Sequence, residues 1–295
     1  MNTVWEEQNG IVNFLPQIRQ KWLCTVFLQK VERAENVPDE LAVLDARFLE
    51  KPSFAVQISR DTVIKMAEIS GDALQLATEL LQDYNENKAK LVESMEQRVD
   101  RYEDALGTYL LKVSNLDLSQ NDSRMLSILL HCINDFERIS DHAVNIRDSA
   151  VEMHEKDISI TSGGMEEMAV YSKAVQDIVQ QTIQAFRTGD LTLARQVEPF
   201  EEVIDGLSIE MKQRHITRLR KGRCTMEAGL MLEDVITNYE RVSDHCSNVA
   251  VCMLQINEDG FDTHEYLELA AEEDSAWFRE QCISLKNKYE LPEKK

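Results

Sequence analysis

The chain has few residues that stop a helix and few that carry positive charge. Ten glycines and five prolines among 295 residues leave long stretches with nothing to break them, and Pro16, Pro38 and Pro52 fall in the first 52 residues. That scarcity favours an all-α protein. Against 53 Asp and Glu stand 32 Lys and Arg, a formal charge of −21. An acidic surface repels nucleic acid and anionic lipid, so neither is expected as the main partner, whereas cations and basic protein patches are. Cys24, Cys132, Cys224, Cys246, Cys252 and Cys282 form no Cys-x-x-Cys pair and no secreted mini-protein spacing. They read as reduced thiols in a cytoplasmic protein. No signal-peptide pattern is evident. The most apolar early stretch, Ile11 to Val31, is interrupted by Pro16, Arg19, Lys21 and Lys30, and falls short of the roughly 20 apolar residues a span needs. No Gly-rich phosphate loop, nucleophile–His motif or dinucleotide fingerprint is found. Binding is therefore expected, and catalysis is not.

What the chain does have is a phrase used four times, a bulky residue, Glu, three residues, then Asp. It occurs as Met95-Glu96 to Asp100, Phe136-Glu137 to Asp141, Phe200-Glu201 to Asp205 and Tyr239-Glu240 to Asp244. Glu96 and Glu201 are 105 residues apart and Glu137 and Glu240 are 103 apart. The chain is thus read as a duplication with two copies in each half. On a helix, Glu at i and Asp at i+4 project from one side about one turn apart, the spacing for two oxygens to grip one cation.

Hydrophobic periodicity predicts helices at about 53–84, 88–114 and 121–156, a loop through Thr161-Ser162-Gly163-Gly164, then helices at about 165–187, 190–220 and 224–257. Asn121-Asp122-Ser123 should open the third helix, Gly189 should close the fourth and Asp190 should cap the fifth. Pro199 should kink the fifth. A last helix over about 263–289, carrying Tyr266, Leu269, Trp277, Phe278, Cys282 and Leu285, should pack back on a bundle. The expected division is an N-terminal extension over 1–52, a three-helix bundle over 53–160, a second over 161–258, and a C-terminal helix and tail over 259–295.

Helical-wheel arithmetic at about 100° per residue places the acids. With Ile133 at zero, Leu126, Leu129, Leu130, Phe136 and Val144 form an apolar arc, and Glu137 and Asp141 fall near 40° and 80°. With Val92 at zero, Val99, Leu106 and Leu110 form the arc, and Glu96 and Asp100 take the same two angles. Phe200, Ile204 and Met211 occupy the equivalent places around Glu201 and Asp205. A carboxylate drawn toward a core must be paired, protonated or metal-bound, since desolvating a lone one costs several kcal/mol. No basic residue is evident on that arc, which points to a cation held by Glu96, Asp100, Glu137 and Asp141 in one half and by Glu201, Asp205, Glu240 and Asp244 in the other. Ser140 and Ser243 should leave room for the ion and its waters. The plainer reading is solvated surface acids, or acids neutralised by Arg138 and Arg241. At i+1 these arginines point about 100° away, awkward within one helix but not between helices. His142 and His245 fall near 180° and are read as surface or interface residues rather than ligands.

Glu137-Arg138-Ile139-Ser140-Asp141-His142 with Asn145-Ile146, and Glu240-Arg241-Val242-Ser243-Asp244-His245 with Asn248-Val249, resemble the signature of the phosphate-uptake regulator family, PhoU. The resemblance covers about residues 53–257. It implies two three-helix bundles related by an internal repeat, with metal clusters held by the Glu/Asp-x-x-x-Asp motifs, and a role in restraining phosphate import and its sensor-kinase pathway. The family often has Gly where Ser140 and Ser243 stand. The flanks Leu44 to Pro52, Val197 to Asp205, Arg214 to Leu219 and Cys224 resemble the cytoplasmic tail of bacterial sodium/phosphate cotransporter-family proteins, which place a PhoU-like domain after a membrane domain. The chain is accordingly expected to be a stand-alone regulator or a tail separated from its transporter.

These readings converge on a metal-binding regulatory protein of phosphate uptake or signalling. It would work beneath the inner membrane by docking on a phosphate transporter or its sensor kinase, and a homodimer is compatible with it. The metal would be a divalent or trivalent ion. All-oxygen ligands suit magnesium, manganese, calcium or iron, and zinc also stays open. The competing readings are a di-iron carboxylate oxidoreductase, which needs Glu-x-x-His where this chain has His at i+5 from Glu137 and Glu240, and a metal-free helical adaptor.

Overall fold

The computed structural model describes residues 39–257 and 275–293. Residues 1–42 form one compact unit, of which a 3-10 turn at Asp39–Leu41 is described, and Val43–Lys295 form the other. The apolar stretch Ile11 to Val31 lies outside the described residues, as do Tyr266 and Leu269 of the last predicted helix.

Among the described residues every regular element of the larger unit is helical. After a 3-10 turn at Ala46–Glu50 come α1 (Pro52–Leu80), α2 (Glu86–Val113) and α3 (Gln120–Glu155). The second half holds α4 (Ser162–Thr188), the short α5 (Leu191–Arg195), α6 (Val197–Arg220) and α7 (Met226–Asn257), followed by α8 (Ser275–Lys288). The first three helices pack on one another and α4, α6 and α7 do the same. The two bundles join where α3 runs against α7 and α1 against α4. Among the described residues no helix is long and apolar enough to cross a membrane.

The helix starts have local causes. Pro52, whose missing N–H costs nothing in a first turn, opens α1. Asn85 Oδ1 takes the amides of Asn87 and Lys88 at 3.0 and 3.1 Å, and Asp190 caps α5 as expected through Thr192 and Leu193. Gly189 closes α4 with φ 68°, a conformation an L side chain resists. Two expected boundaries move. The cap of α3 is Ser119, whose hydroxyl accepts from the Asp122 amide at 3.2 Å, so Asn121, Asp122 and Ser123 already lie in the helix. Thr161-Ser162-Gly163-Gly164 is a capped helix start rather than a loop, because Thr161 Oγ1 accepts from Gly164 N at 3.2 Å.

Pro199 acts more strongly than a kink. It has no N–H to donate to the carbonyl of Arg195 and its ring crowds that carbonyl, so the expected single helix divides after Arg195 and Pro199 lies in the first turn of α6.

The apolar arcs become the cores. Val92, Val99, Leu106 and Leu110 are completely buried, as are Leu129, Phe136, Ile204 and Met211 within 2%. Each contributes on the order of 2 kcal/mol through burial. Leu130 and Val144, at the margins of their arc, are half-buried. The C-terminal helix returns onto α6 as expected: Cys282 Sγ reaches the Pro199 carbonyl at 3.6 Å, and the Tyr289 ring stacks on Phe200 with centroids 5.3 Å apart.

Candidate metal centres

Helix α2 carries Glu96 and Asp100 and faces Glu137 and Asp141 of α3, while α6 carries Glu201 and Asp205 and faces Glu240 and Asp244 of α7. All eight residues are half-buried, as their place beside the apolar arc requires. Three in each half converge. Glu96, Asp100 and Asp141 each offer a carboxylate oxygen within 4.8 Å of the others, and Glu201, Asp205 and Asp244 do the same.

The fourth acid of each half stands apart from its trio. Glu240 Oε2 accepts from Lys212 Nζ at 2.8 Å and from Ser208 Oγ at 2.7 Å. Glu137 Oε2 lies 3.5 Å from Arg138 Nε. The expectation that no basic residue serves the acids is therefore corrected. Lys212 follows Asp205 by seven residues, two turns along the same stripe of α6, so its position was legible from the wheel. The arginines also neutralise within one helix, since Arg138 Nη1 and Arg241 Nη1 each lie 3.1 Å from the Oδ2 of Asp141 and Asp244. At i+1 from Glu the geometry is awkward, but at i+3 to Asp the long guanidinium spans one turn.

The electrostatics of the second cluster are those of crowded anions. Burial, reinforced by Asp205, Glu198, Asp244 and Glu202, pushes the Glu201 carboxyl up to about 8. Burial also raises Asp205, with Glu240, Asp244 and Glu202 adding to it and Lys212 opposing. Burial works to raise Glu240 too, but the hydrogen bonds from Lys212 and Ser208 outweigh it and hold the group below its usual range. Asp205 Oδ1 is buried without a hydrogen-bond partner. A buried carboxylate oxygen lacking a donor is costly unless a proton or a cation meets it. The site thus fits a hard cation with oxygen ligands.

Ser140 and Ser243 occupy equivalent places in α3 and α7, and Ser140 Oγ has no hydrogen-bond partner. Both are completely buried, and Ser243 Oγ donates to the Glu240 carbonyl at 2.8 Å, turning the hydroxyl onto its own helix. His142 and His245 are interface residues, as read. They meet where α3 crosses α7, with ring centroids 5.6 Å apart. His142 Nδ1 pairs with Asn238 Oδ1 at 2.8 Å and His245 Nδ1 with Asp135 Oδ1 at 2.9 Å. Asn145 and Asn248 donate to the same two acceptors, each at 3.1 Å. Asp135 and Asn238 escaped the sequence reading. They occupy the same place two residues before Glu137 and Glu240, and that repeat was the available signal.

The two clusters lie in the two stretches that match a known domain. The PhoU domain family matches residues 63–150 and 169–253. The phosphate-specific transport system accessory protein PhoU homolog 1 of Thermotoga maritima is 25% identical over 209 residues, spanning 70% of this chain and 89% of that protein. The corresponding homolog of Aquifex aeolicus is 25% identical over 71% of this chain and 94% of that protein. In fold, the crystal structure of PhoU from Pseudomonas aeruginosa aligns with a TM-score of 0.64 at 20% identity, covering 68% of this chain and 96% of that one. The phosphate transport system regulatory protein PhoU from Streptococcus pneumoniae aligns with a TM-score of 0.65 at 15% identity, covering 72% and 100%. With both repeats matched, and with the paired bundles those structures share, this chain belongs to the PhoU family.

Proposed function

We propose that the chain is a regulatory accessory of phosphate uptake or phosphate signalling, that it binds a divalent or trivalent metal ion in each half, and that it docks on a membrane phosphate transporter or its sensor kinase. Family membership supports the phosphate assignment, since relatives carry the name of accessory proteins of a phosphate-specific transport system. The observation that carries the metal assignment is the convergence of a carboxylate trio at repeat-equivalent positions of both halves, with Asp205 Oδ1 buried and partnerless in one of them. Glu96, Asp100 and Asp141, and Glu201, Asp205 and Asp244, are the ligands we assign. Glu137 and Glu240 stand beside them as reserve acids held by Arg138 and Lys212. Oxygen donors of this kind suit magnesium, manganese, calcium or iron.

We place the protein in the cytoplasm, beneath the inner membrane and held there by a protein partner, because an acidic chain and an anionic leaflet repel each other. Leu44, Phe48 and Leu49 remain half-buried, with Phe48 packed edge-on against the part-exposed Phe54 at 5.0 Å. They are the apolar residues we assign to docking. Pull-down from phosphate-replete bacterial membranes should recover a phosphate transporter or its kinase, with capture reduced by Leu44→Asp. Capture of lipid or nucleic acid alone would overturn the partner assignment.

Metal is tested by elemental analysis of protein purified without chelator. About one equivalent or more per half is expected. The Arg138, Arg241 and Lys212 ion pairs favour a second reading, a metal-free helical adaptor. Metal-free protein whose melting temperature does not respond to added cation would decide for that adaptor. The di-iron reading draws no support from the geometry, because His142 and His245 turn Nδ1 to Asn238 and Asp135 across the seam.

A further inference from the structure

The residues Arg214 to Arg223 hold five Lys and Arg and no acid, in a chain whose net charge is −21. Part of this run, Arg214 to Leu219, stood out in the sequence without a role in the carboxylate clusters. In the structure it forms one wall of a recess of about 530 Å³, lined by Arg214, Arg218, Lys221 and Arg223. Ser162 and Gly163, the first residues of α4, form another wall, and Pro292 and Glu293 a third. Thr161 to Glu167 and Pro292 to Glu293 lie outside the stretches that match the family, whereas Arg214, Arg218, Lys221 and Arg223 lie inside the second.

Arg214 is fully engaged, its Nε and Nη2 donating to Glu210 Oε1 at 3.0 and 2.7 Å. Buried Glu167 accepts from Arg214 Nη1 at 3.3 Å and from Arg218 Nη1 at 2.8 Å. Arg214 Nη1 also donates to the Pro292 carbonyl at 2.6 Å, which pins the tail to the rim. Arg218 Nη2 is buried without a hydrogen-bond partner, and it lies 3.7 Å from where a Cβ on Gly164 would stand. A guanidinium thus abuts the first turn of α4, where two positive features meet with one carboxylate between them. Lys221 makes no side-chain hydrogen bond or ion pair among the described residues. Glu166 and Glu293 also line the recess and are exposed, as are Lys221 and Arg223. Arg218, Lys221 and Arg223 beside a helix start favour an anion rich in oxygen acceptors. The volume exceeds what a bare phosphate fills and falls in the range of small-molecule sites.

We propose that this recess binds a phosphate-bearing anion, with its charged group between Arg218, Lys221 and the start of α4. The site does not depend on the metal centres. Calorimetric titration of the full chain at constant ionic strength, with inorganic phosphate, AMP, ATP and sulfate as probes, should show saturable binding of at least one phosphate compound that weakens with added salt. Tighter binding of inorganic phosphate than of AMP assigns the free ion, and the reverse assigns a nucleotide. Lys221→Glu should lower the affinity at least tenfold.

Gly163→Asp should do the same with the fold intact, because a Cβ at Gly163 meets nothing within 4 Å and an acid suits a first helical turn. Gly163→Ala should bind as the unaltered chain does. The double variant Asp205→Ala/Asp244→Ala should also bind normally, which separates this site from phosphate bridged by metal. No saturable binding of any phosphate probe to folded protein would overturn the proposal. So would binding that survives both Lys221→Glu and Gly163→Asp.

Discussion

The two halves keep the same acids at the same places and neutralise them differently. In the second half Lys212 and Ser208 engage Glu240, whereas the positions 105 residues earlier are Gly107 and Glu103. The first half therefore has one cation fewer and one carboxylate more along the corresponding stripe of α2. At the outer acid the contrast runs the other way. Arg147 Nη2 lies 3.9 Å from Glu93, while Ser247 Oγ donates to the equivalent Glu198 at 2.5 Å. Duplication preserved the carboxylate geometry and left the counter-charges free to diverge. The second cluster carries its own internal cation, and an incoming ion there must compete with Lys212.

The largest expected effect tests whether the halves are independent. Asp100→Ala/Asp141→Ala should remove the metal of the first half and spare the second, and Asp205→Ala/Asp244→Ala should do the reverse. Elemental analysis should read about half the original content in each case. Loss of both sites from either variant would mean one shared centre rather than two.

Next comes the internal cation. Lys212→Ala should tighten cation binding at the second cluster about tenfold, equivalent to ~1.4 kcal/mol, and leave the first unchanged in a titration with Mn²⁺. Unaltered or weaker binding would show that Lys212 organises the site instead of competing for it.

The crowded second cluster also sets a pH dependence for metal-free protein. Glu201 is raised from 4.5 to about 8 in the folded state, so the fold prefers its protonated form. Stability should be greatest below the ordinary carboxyl pKa and should fall as pH rises from about 5 toward 8. Glu201→Gln should flatten that slope in melting curves recorded with chelator, and added cation should reverse it. A slope unchanged by the substitution would place the titrating group elsewhere.

At the seam, Tyr239 and its counterpart Phe136 are both fully buried and both reach the other half, Phe136 edge-on against Phe186 with centroids 5.3 Å apart, but the tyrosine adds a polar contact, its hydroxyl 2.9 Å from Thr78 Oγ1. Tyr239→Phe makes the halves alike and should cost about 1 kcal/mol in denaturant unfolding. The smallest effect belongs to the exposed pairs. Arg138→Ala and Arg241→Ala should each change stability by no more than about 0.5 kcal/mol. A much larger loss would show that the arginines hold the clusters together.

Helix class, repeat and the place of the acids were legible from residues close together in the chain. Few breakers and a 3.6-residue period are local properties, and they put Val92, Val99, Leu106 and Leu110 in a core with Glu96 and Asp100 at its margin. Local rules also located Gly189 and Asp190. They failed where two local signals competed, as at Ser119 against Asn121, and where a proline's effect had to be graded, as at Pro199.

Tertiary structure decided which acids meet and what neutralises them. Glu96 and Asp141 come together across 45 positions, Glu201 and Asp244 across 43, and His245 reaches Asp135 across 110. Helical periodicity states the face on which a side chain lies. It does not state how neighbouring helices rotate and slide, and a few ångströms of that movement separate an acid held by Lys212 from one that joins a cation site.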